Sequence, residues 1–376
     1  MILASIIAIF VYGMIAAMLG TVLPVLSDRF KLSPSQNGSI AFAQAFGLII
    51  ASLAVGPLLD AKGDKAGMVL GLFLISVALF TLPRVANFRG VLLLFFLLGV
   101  AGGVTVTAAN ALASDVGEAH RATALNLANV FFGLGAMATP FVAANFFGRN
   151  WVRLCYSMAS LAVVTLMIEI FTKMPGPTAS GRFILSEVGP VLGHPLLLLT
   201  ALFTFLYITC EVGVWNWLPR HLVAQGIPEA RALNILSLGF ALGMLLGRVA
   251  ILPVLSHVPA VRVTLVGSLA MAITTFMMLQ ARTSKAAWVL VFLAGLSMAP
   301  VFPTTLAIVG NAFPRMTGTA IGFVITCGWT GLAVSSRIIG FIAGGDPRRL
   351  KKALLVIPAS SVIMVGLDLV IRGMLR

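Results

Sequence analysis

Uninterrupted apolar runs of about twenty residues dominate this chain, the length a helix needs to cross the hydrocarbon core of a bilayer. The first, "ILASIIAIFVYGMIAAMLGTVLPVL", fills residues 2–26. A membrane barrel strand would instead alternate apolar and polar residues over about ten positions. Lipid offers no hydrogen-bond partners, so only helices and closed barrels satisfy their backbone within it. The runs therefore predict an all-α membrane protein. Composition agrees, because 60% of the 376 residues are hydrophobic and 10% charged. That is too little charge to keep soluble domains of this size wetted.

Taking Gly, Pro and charged residues as punctuation gives twelve spans. They cover 2–26, 36–59, 66–83, 91–114, 122–147 and 152–172, then 195–219, 230–256, 261–280, 286–312, 317–344 and 351–372. The longest polar interruption, "KMPGPTASGRFILSEVGPVLGHP" from Lys173, predicts a linker over 173–194 between bundles 1–172 and 195–376. The two halves echo each other. "FVYGMIAAMLGTVLP" from Phe10 and "FLYITCEVGVWNWLP" from Phe205 both read F-x-Y, ten residues, then L-P, at an offset of 195. Gly99 and Gly295, Thr123 and Thr319, and Pro57 and Pro253 pair at 196. An offset of 195 or 196 across four helix pairs predicts two parallel six-helix repeats, the design of carriers whose bundles rock about a midplane site.

The net charge of +14 lies in short connections between spans, where Lys and Arg flank a bilayer. Nucleic acid is not an expected partner. Cys155, Cys210 and Cys327 fall within apolar runs at unrelated spacings, and the four histidines lie in or beside loops. Neither set forms a disulfide framework or a metal site. The first run is too long for a signal-peptide core and lacks a basic segment before it, so it is read as a span. No Ser/His/Asp, Cys/His, paired-carboxylate or P-loop arrangement is present, and neither an enzyme nor an ATP-driven pump is expected. "GLGAMA" from Gly133 lacks the strand and ribose-binding acid of a dinucleotide turn.

The connection after the second span reads "GPLLDAKGDK", Gly56 to Lys65. It is similar to the G-x-L-x-D-R-x-G-R-K loop of the major facilitator superfamily. Gly56, Leu58, Asp60, Gly63 and Lys65 match, while Ala61 and Asp64 depart. The resemblance extends over essentially the whole chain and implies that family's fold of twelve helices in two six-helix halves. In the family the loop aspartate caps a neighbouring helix and clamps the outward-facing state, which implies that role for Asp60. Gly56 and Gly63 are the accompanying gate positions. The matching loop of the second half, "GRVAILPVLSHVPAVR", has Ser256 at the aspartate's place and keeps Gly247, Arg248 and Arg262. Arg248 is therefore assigned to the gate.

Within the superfamily, the closest look is to the fucose-permease-like branch of sugar–proton symporters. "FLYITCEVGVWNWLP", "LNLANVFFGLGA" from Leu125 and "APVFPTTLA" from Ala299 carry it. Members of that branch often place an acid in the first or fourth helix. Here the first span is uncharged before Asp28, and the fourth offers Thr105, Thr107 and Asn110, with Asp115 past its end.

The chain's own acid is Glu211, deep in the seventh span where the first half has Ala16. Spanning alone does not require a carboxylate there. Ionisable groups at that depth are costly and mark ion or substrate pathways; the alternative is a neutral, hydrogen-bonded packing residue. Phe203, Tyr207, Glu211 and Trp215 follow one another at four-residue steps on one helix face. Aromatic faces around an acid suit a sugar, whose C–H faces stack while its hydroxyls bond. Asn126 with Asn129, and Thr107 with Asn110, share faces of the fifth and fourth spans, and serve either a hydroxylated solute or interhelical packing. Gln44, Asn216 and the Thr326, Trp329, Thr330 face carry the same two readings. Arg337 either neutralises Glu211, holds an anionic solute, or snorkels. Glu169 and Asp368, near span ends, are read as reaching headgroups and water.

The expected function is a secondary carrier working by alternating access, most simply proton-coupled symport of a sugar or similar small polar solute, with Glu211 as the protonation switch. Alternatives are proton-coupled efflux of amphipathic compounds, carriage of small organic anions, and a non-transporting sensor. Expected partners are the solute and the lipid bilayer, for a monomer without cofactor or metal, with H+ or Na+ as the coupling ion. Family topology implies an inner-membrane protein with both termini cytoplasmic. It leaves nine basic residues inside, Lys62 and Arg121 among them, and fourteen outside, Arg29 and Arg220 among them. The positive-inside rule favours the reverse; the Gly56–Lys65 loop is weighted above it.

Overall fold

The computed structural model describes residues 2–116, 120–147, 150–174, 176, 185–343 and 347–375. Twelve helices among them are long and apolar enough to cross a membrane. They are α1 (Leu3–Leu23), α2 (Gln36–Lys62), α3 (Asp64–Arg84), α4 (Phe88–Val116), α5 (Arg121–Thr139) and α6 (Trp151–Phe171), then α7 (Pro195–Ala224), α8 (Arg231–Leu255), α9 (Ala260–Met278), α10 (Ser284–Ala312), α11 (Thr317–Ala343) and α12 (Arg349–Met374). No strand occurs among the described residues.

Local chemistry sets the helix ends. Ahead of α2, Ser33 accepts the Gln36 N–H at 3.2 Å while the Gln36 side chain accepts the Ser33 N–H at 2.9 Å, a reciprocal cap that satisfies two otherwise stranded donors. Gly63 divides α2 from α3 at φ 85°, and its N–H closes α2 on the Leu59 carbonyl at 2.7 Å. A side chain would be strained at that φ.

The helices group into two compact units. One comprises Met1–Ala124, Ala128–Leu192 and Gly310–Thr326; the other comprises Leu125–Leu127, Gly193–Val309 and Cys327–Arg376. Leu72, Phe95 and Met18 lie at the heart of the first, and Phe203, Tyr207 and Met298 at the heart of the second.

The sequence repeat is a repeat of backbone contacts. In the first unit α2 and α4 approach so closely that a Cβ on Gly47 would strike the Phe96 carbonyl, and one on Gly99 the Gln44 carbonyl. In the second unit Gly243 meets the Phe292 carbonyl and Gly295 the Phe240 carbonyl, where α8 crosses α10. Each of these residues lies 196 positions after its counterpart. Gly135 against the Phe10 carbonyl is likewise repeated by Gly331 against that of Phe205. Small residues are used this way in membranes because lipid is as apolar as the helices, and close van der Waals packing must hold them together. Gly99→Val and Gly295→Val are expected to be about equally damaging. Each should cost more than the roughly 1–3 kcal/mol of ordinary overpacking, because the obstacle is backbone. Folded yield after detergent extraction measures this.

Three spans are interrupted. The last, α12, breaks at Leu355, between Pro347–Leu354 and Val356–Met374. In α8, Ile235–Phe240 forms a π-helical turn, a local widening often found at functional sites. In α10, the helix stops at Met298 and resumes at Val301, around Pro300. Proline at 303 cannot supply the N–H that would bond the Ala299 carbonyl four residues back.

Glu169 and Asp368 correct the sequence reading. Both are buried inside the protein rather than turned toward headgroups. Asp368 faces α9, where the Thr264 and Ser268 hydroxyls donate to its two oxygens at 2.8 and 3.0 Å. Glu169 lies near the end of α6, with Lys65 as a nearby cation; the Lys65 amine itself donates to the Ile170 and Thr172 carbonyls at 2.7 and 2.9 Å. Position along a span does not reveal which face of the helix meets lipid, and here α12 packs on α9 and α6 on α3.

Candidate coupling and gating sites

Glu211 lies half-buried on α7, within the second unit. The Tyr207 hydroxyl and the Trp215 indole are hydrogen-bond neighbours of its carboxylate, and the Arg248 guanidinium acts on it as a nearby cation. Tyr207 and Trp215 arrive by helical spacing, one turn to either side. Arg248 arrives from α8, buried, and the broken turn of α10 fixes it there. Its Nε donates to the Ala299 carbonyl at 3.4 Å, the acceptor left without a helical partner by Pro303. The Tyr207 hydroxyl donates to the neighbouring Met298 carbonyl at 3.1 Å. One interrupted turn thus anchors two groups that surround the acid.

This arrangement changes two assignments. Arg248 stands beside Glu211, not in the loop at the end of α8, because the Ala299 carbonyl draws it inward. Tyr207 is fully buried in the core, its ring stacked 6.1 Å from that of Phe302, so it supports the site instead of facing a solute. The readings weighed for Arg337 lie outside the described residues, because its side chain is not among them. Trp215 is the aromatic that remains open. It is 38% exposed, and it rests edge-on against Phe240 of the π-helical turn at 5.3 Å. Asn216 beside it is exposed. Trp329 on α11 is half-buried, and its indole N–H has no hydrogen-bond partner among the described residues.

If Pro303 creates the need that Arg248 fills, the two residues are energetically coupled. Arg248→Met is expected to lower stability by about 1–3 kcal/mol by stranding a buried carbonyl. Pro303→Ala in the same protein should recover part of that loss, as a double-mutant cycle on thermal unfolding in detergent would show.

The polar residues of α4 and α5 are buried. The Asn129 amide donates to Asn110 at 3.5 Å, and Asn110 donates to the Val106 carbonyl at 2.8 Å. Asn126 donates to Thr304 at 3.1 Å. Thr107 is buried too, with no hydrogen-bond partner for its hydroxyl among the described residues. Gln44 is half-buried on α2. These contacts show the asparagines joining helices in this state.

Asp60 and Gly56, two of the residues assigned to the gate, meet the start of α11 within the first unit. Both oxygens of buried Asp60 accept backbone N–H groups from the first turn of α11, Gly318 and Thr319, each at 2.8 Å. Those donors have no partner inside their own helix, and the positive end of the helix dipole favours a carboxylate there. Gly56 completes the fit. A Cβ on it would come within 2.7 Å of the Gly318 carbonyl oxygen and the Thr319 Cα. Sequence reasoning treated Arg121 as a loop charge, but it is buried and its guanidinium donates to the Gly310 carbonyl, at the end of α10. Nothing local in the sequence marks this contact, which joins residues 189 positions apart.

A family model described as the Major Facilitator Superfamily matches residues 5–336. The chain belongs to the major facilitator superfamily. It is therefore a multi-pass membrane transporter and not an enzyme, with the all-α, twelve-span fold of that superfamily. Its structure superposes on the E. coli fucose:proton symporter FucP with a TM-score of 0.85, over 98% of each chain at 18% sequence identity. It is 24% identical over 346 residues to the gentisate transporter of Corynebacterium glutamicum, covering 86% of this chain and 76% of that protein. It is 27% identical over 243 residues to the glucose/galactose transporter of Brucella abortus, covering 59% of each.

Proposed function

We propose that this superfamily member is a proton-coupled symporter of a sugar or similar small polar solute, driven through Glu211. The observation that carries the reading is the single membrane-embedded acid of α7 set against Arg248, Tyr207 and Trp215 at the broken turn of α10. A tyrosine hydroxyl has one proton. While it is donated to the Met298 carbonyl, the Tyr207 oxygen can accept from a protonated Glu211. When Glu211 loses its proton, Tyr207 can turn its donor to the carboxylate and Arg248 neutralises the charge. Two hydrogen-bond arrangements thus correspond to the two protonation states. Trp215 offers its exposed face to a solute beside the acid, with Asn216 as a polar neighbour. The sugar specificities of FucP and the Brucella transporter agree with an aromatic face next to hydrogen-bonding groups.

The coupling ion is H+ in this reading, with Na+ the alternative, and no cofactor takes part. The protein resides in the inner membrane as a monomer with cytoplasmic termini, the Asp60 loop facing the cytoplasm. A second reading, carriage of a small organic anion, is favoured by the likeness to a gentisate transporter and by the surplus of basic residues on the opposite face. A thermal-shift screen of the purified protein over sugars, sugar acids, aromatic acids and lipophilic cations separates these. Stabilisation confined to sugars supports the first reading, confined to acids the second, and confined to lipophilic cations overturns both.

A further inference from the structure

The turn from α9 to α10 carries a feature outside the site proposed for the solute. Met277, Gln280, Arg282, Thr283, Ala286 and Leu290 line a cleft of about 350 Å³ open at the protein surface. Hydrogen bonds tie its polar rim to neighbouring helices. Lys351, at the start of α12, donates to the Gln280 side chain at 2.6 Å, and buried His221 of α7 hydrogen-bonds the Leu279 backbone. Lys351 belongs to the short helix Pro347–Leu354, "PRRLKKAL", whose Leu350, Ala353 and Leu354 are buried in the core of the second unit. Residues 280–285 and 347–354 together contain six basic residues and no acidic one.

Apolar surface runs away from this rim along the spans. On α9, Leu269, Ile273 and Met277 are exposed at four-residue steps, and Val289 is exposed on α10. A basic rim above an apolar track, at the end of membrane helices, matches one amphiphile: negative headgroup at the rim, acyl chain along the track. We propose that the α9–α10 turn and the start of α12 form a binding site for an anionic phospholipid, its phosphate between Arg282 and Lys351 and a chain descending past Met277 and Val289.

The test is a thermal-shift titration of the full-length protein in detergent with phosphatidylglycerol, phosphatidylcholine or inorganic phosphate. Phosphatidylglycerol should stabilise the wild type saturably, and the other two should not. An Arg282→Gln/Lys351→Gln double variant should need about thirty-fold more phosphatidylglycerol for half-maximal stabilisation, the loss of two interfacial charges. An Arg84→Gln/Arg89→Gln variant, with two charges removed from the first unit, should titrate like wild type. Equal stabilisation by phosphatidylcholine or by phosphate would overturn the proposal, as would equal weakening in both double variants, which would mean diffuse attraction to a basic surface. The headgroup comparison on wild type stands even if a variant does not fold.

Discussion

A Glu211→Gln variant is expected to let solute equilibrate across the membrane but not to accumulate it. Glutamine keeps the size of the side chain and an oxygen that can accept from Tyr207 or Trp215, but it cannot gain or lose a proton. With one proton per solute, each pH unit of gradient supports about tenfold accumulation. In proteoliposomes the wild type should approach that ratio and the variant should stay near unity. Solute counterflow, which needs binding and conformational exchange but no net proton movement, should persist in the variant. Wild-type uptake should rise as the outer solution is acidified, and the variant's should be flat. Loss of counterflow together with accumulation would instead make Glu211 a binding or structural residue.

The second large effect is expected at Asp60. Two charge-assisted bonds join its carboxylate to the first turn of α11, and bonds to charged groups are each worth about 1.5–3 kcal/mol. Asn keeps one acceptor oxygen and loses the charge, so Asp60→Asn should weaken the latch by about 2 kcal/mol, a roughly thirty-fold change in its opening equilibrium. Ser52 reports on that opening. It lies eight residues before Asp60 on α2, is fully buried, and its carbonyl is close to Gly322 of α11. Its hydroxyl has no hydrogen-bond partner among the described residues, so cysteine is a mild replacement. In a background with Cys155, Cys210 and Cys327 replaced, Ser52→Cys should react slowly with a thiol reagent, and adding Asp60→Asn should accelerate it by about the same thirty-fold. Unchanged labelling would show that Asp60 does not hold α11 closed.

The spans were legible because crossing lipid imposes length and composition on every helix, whatever the protein does. The glycines at 99 and 295 were legible as a repeat, though their reason, a carbonyl of the crossing helix, needs the packed structure. Glu211 stood out because a carboxylate is costly where Ala16 suffices in the other half. Its surroundings did not. Helical spacing places Tyr207, Glu211 and Trp215 on one stripe, but burial changes along it, so that Tyr207 enters the core while Trp215 stays open. The approach of Arg248 depends on three helices meeting at a break in α10. The prolines announced that break, but not which donor would satisfy the stranded carbonyl. Arg121 was missed for a similar reason, since its acceptor is a distant main-chain oxygen that carries no side-chain signature.

The most direct test of proton coupling is the luminal pH of proteoliposomes loaded with a pH-sensitive dye, followed as solute is added outside in the absence of any preset gradient. Inward solute movement should acidify the lumen with wild-type protein and leave it unchanged with Glu211→Gln. Solute entry with no pH change in the wild type, or with alkalinisation, would contradict symport driven through this acid.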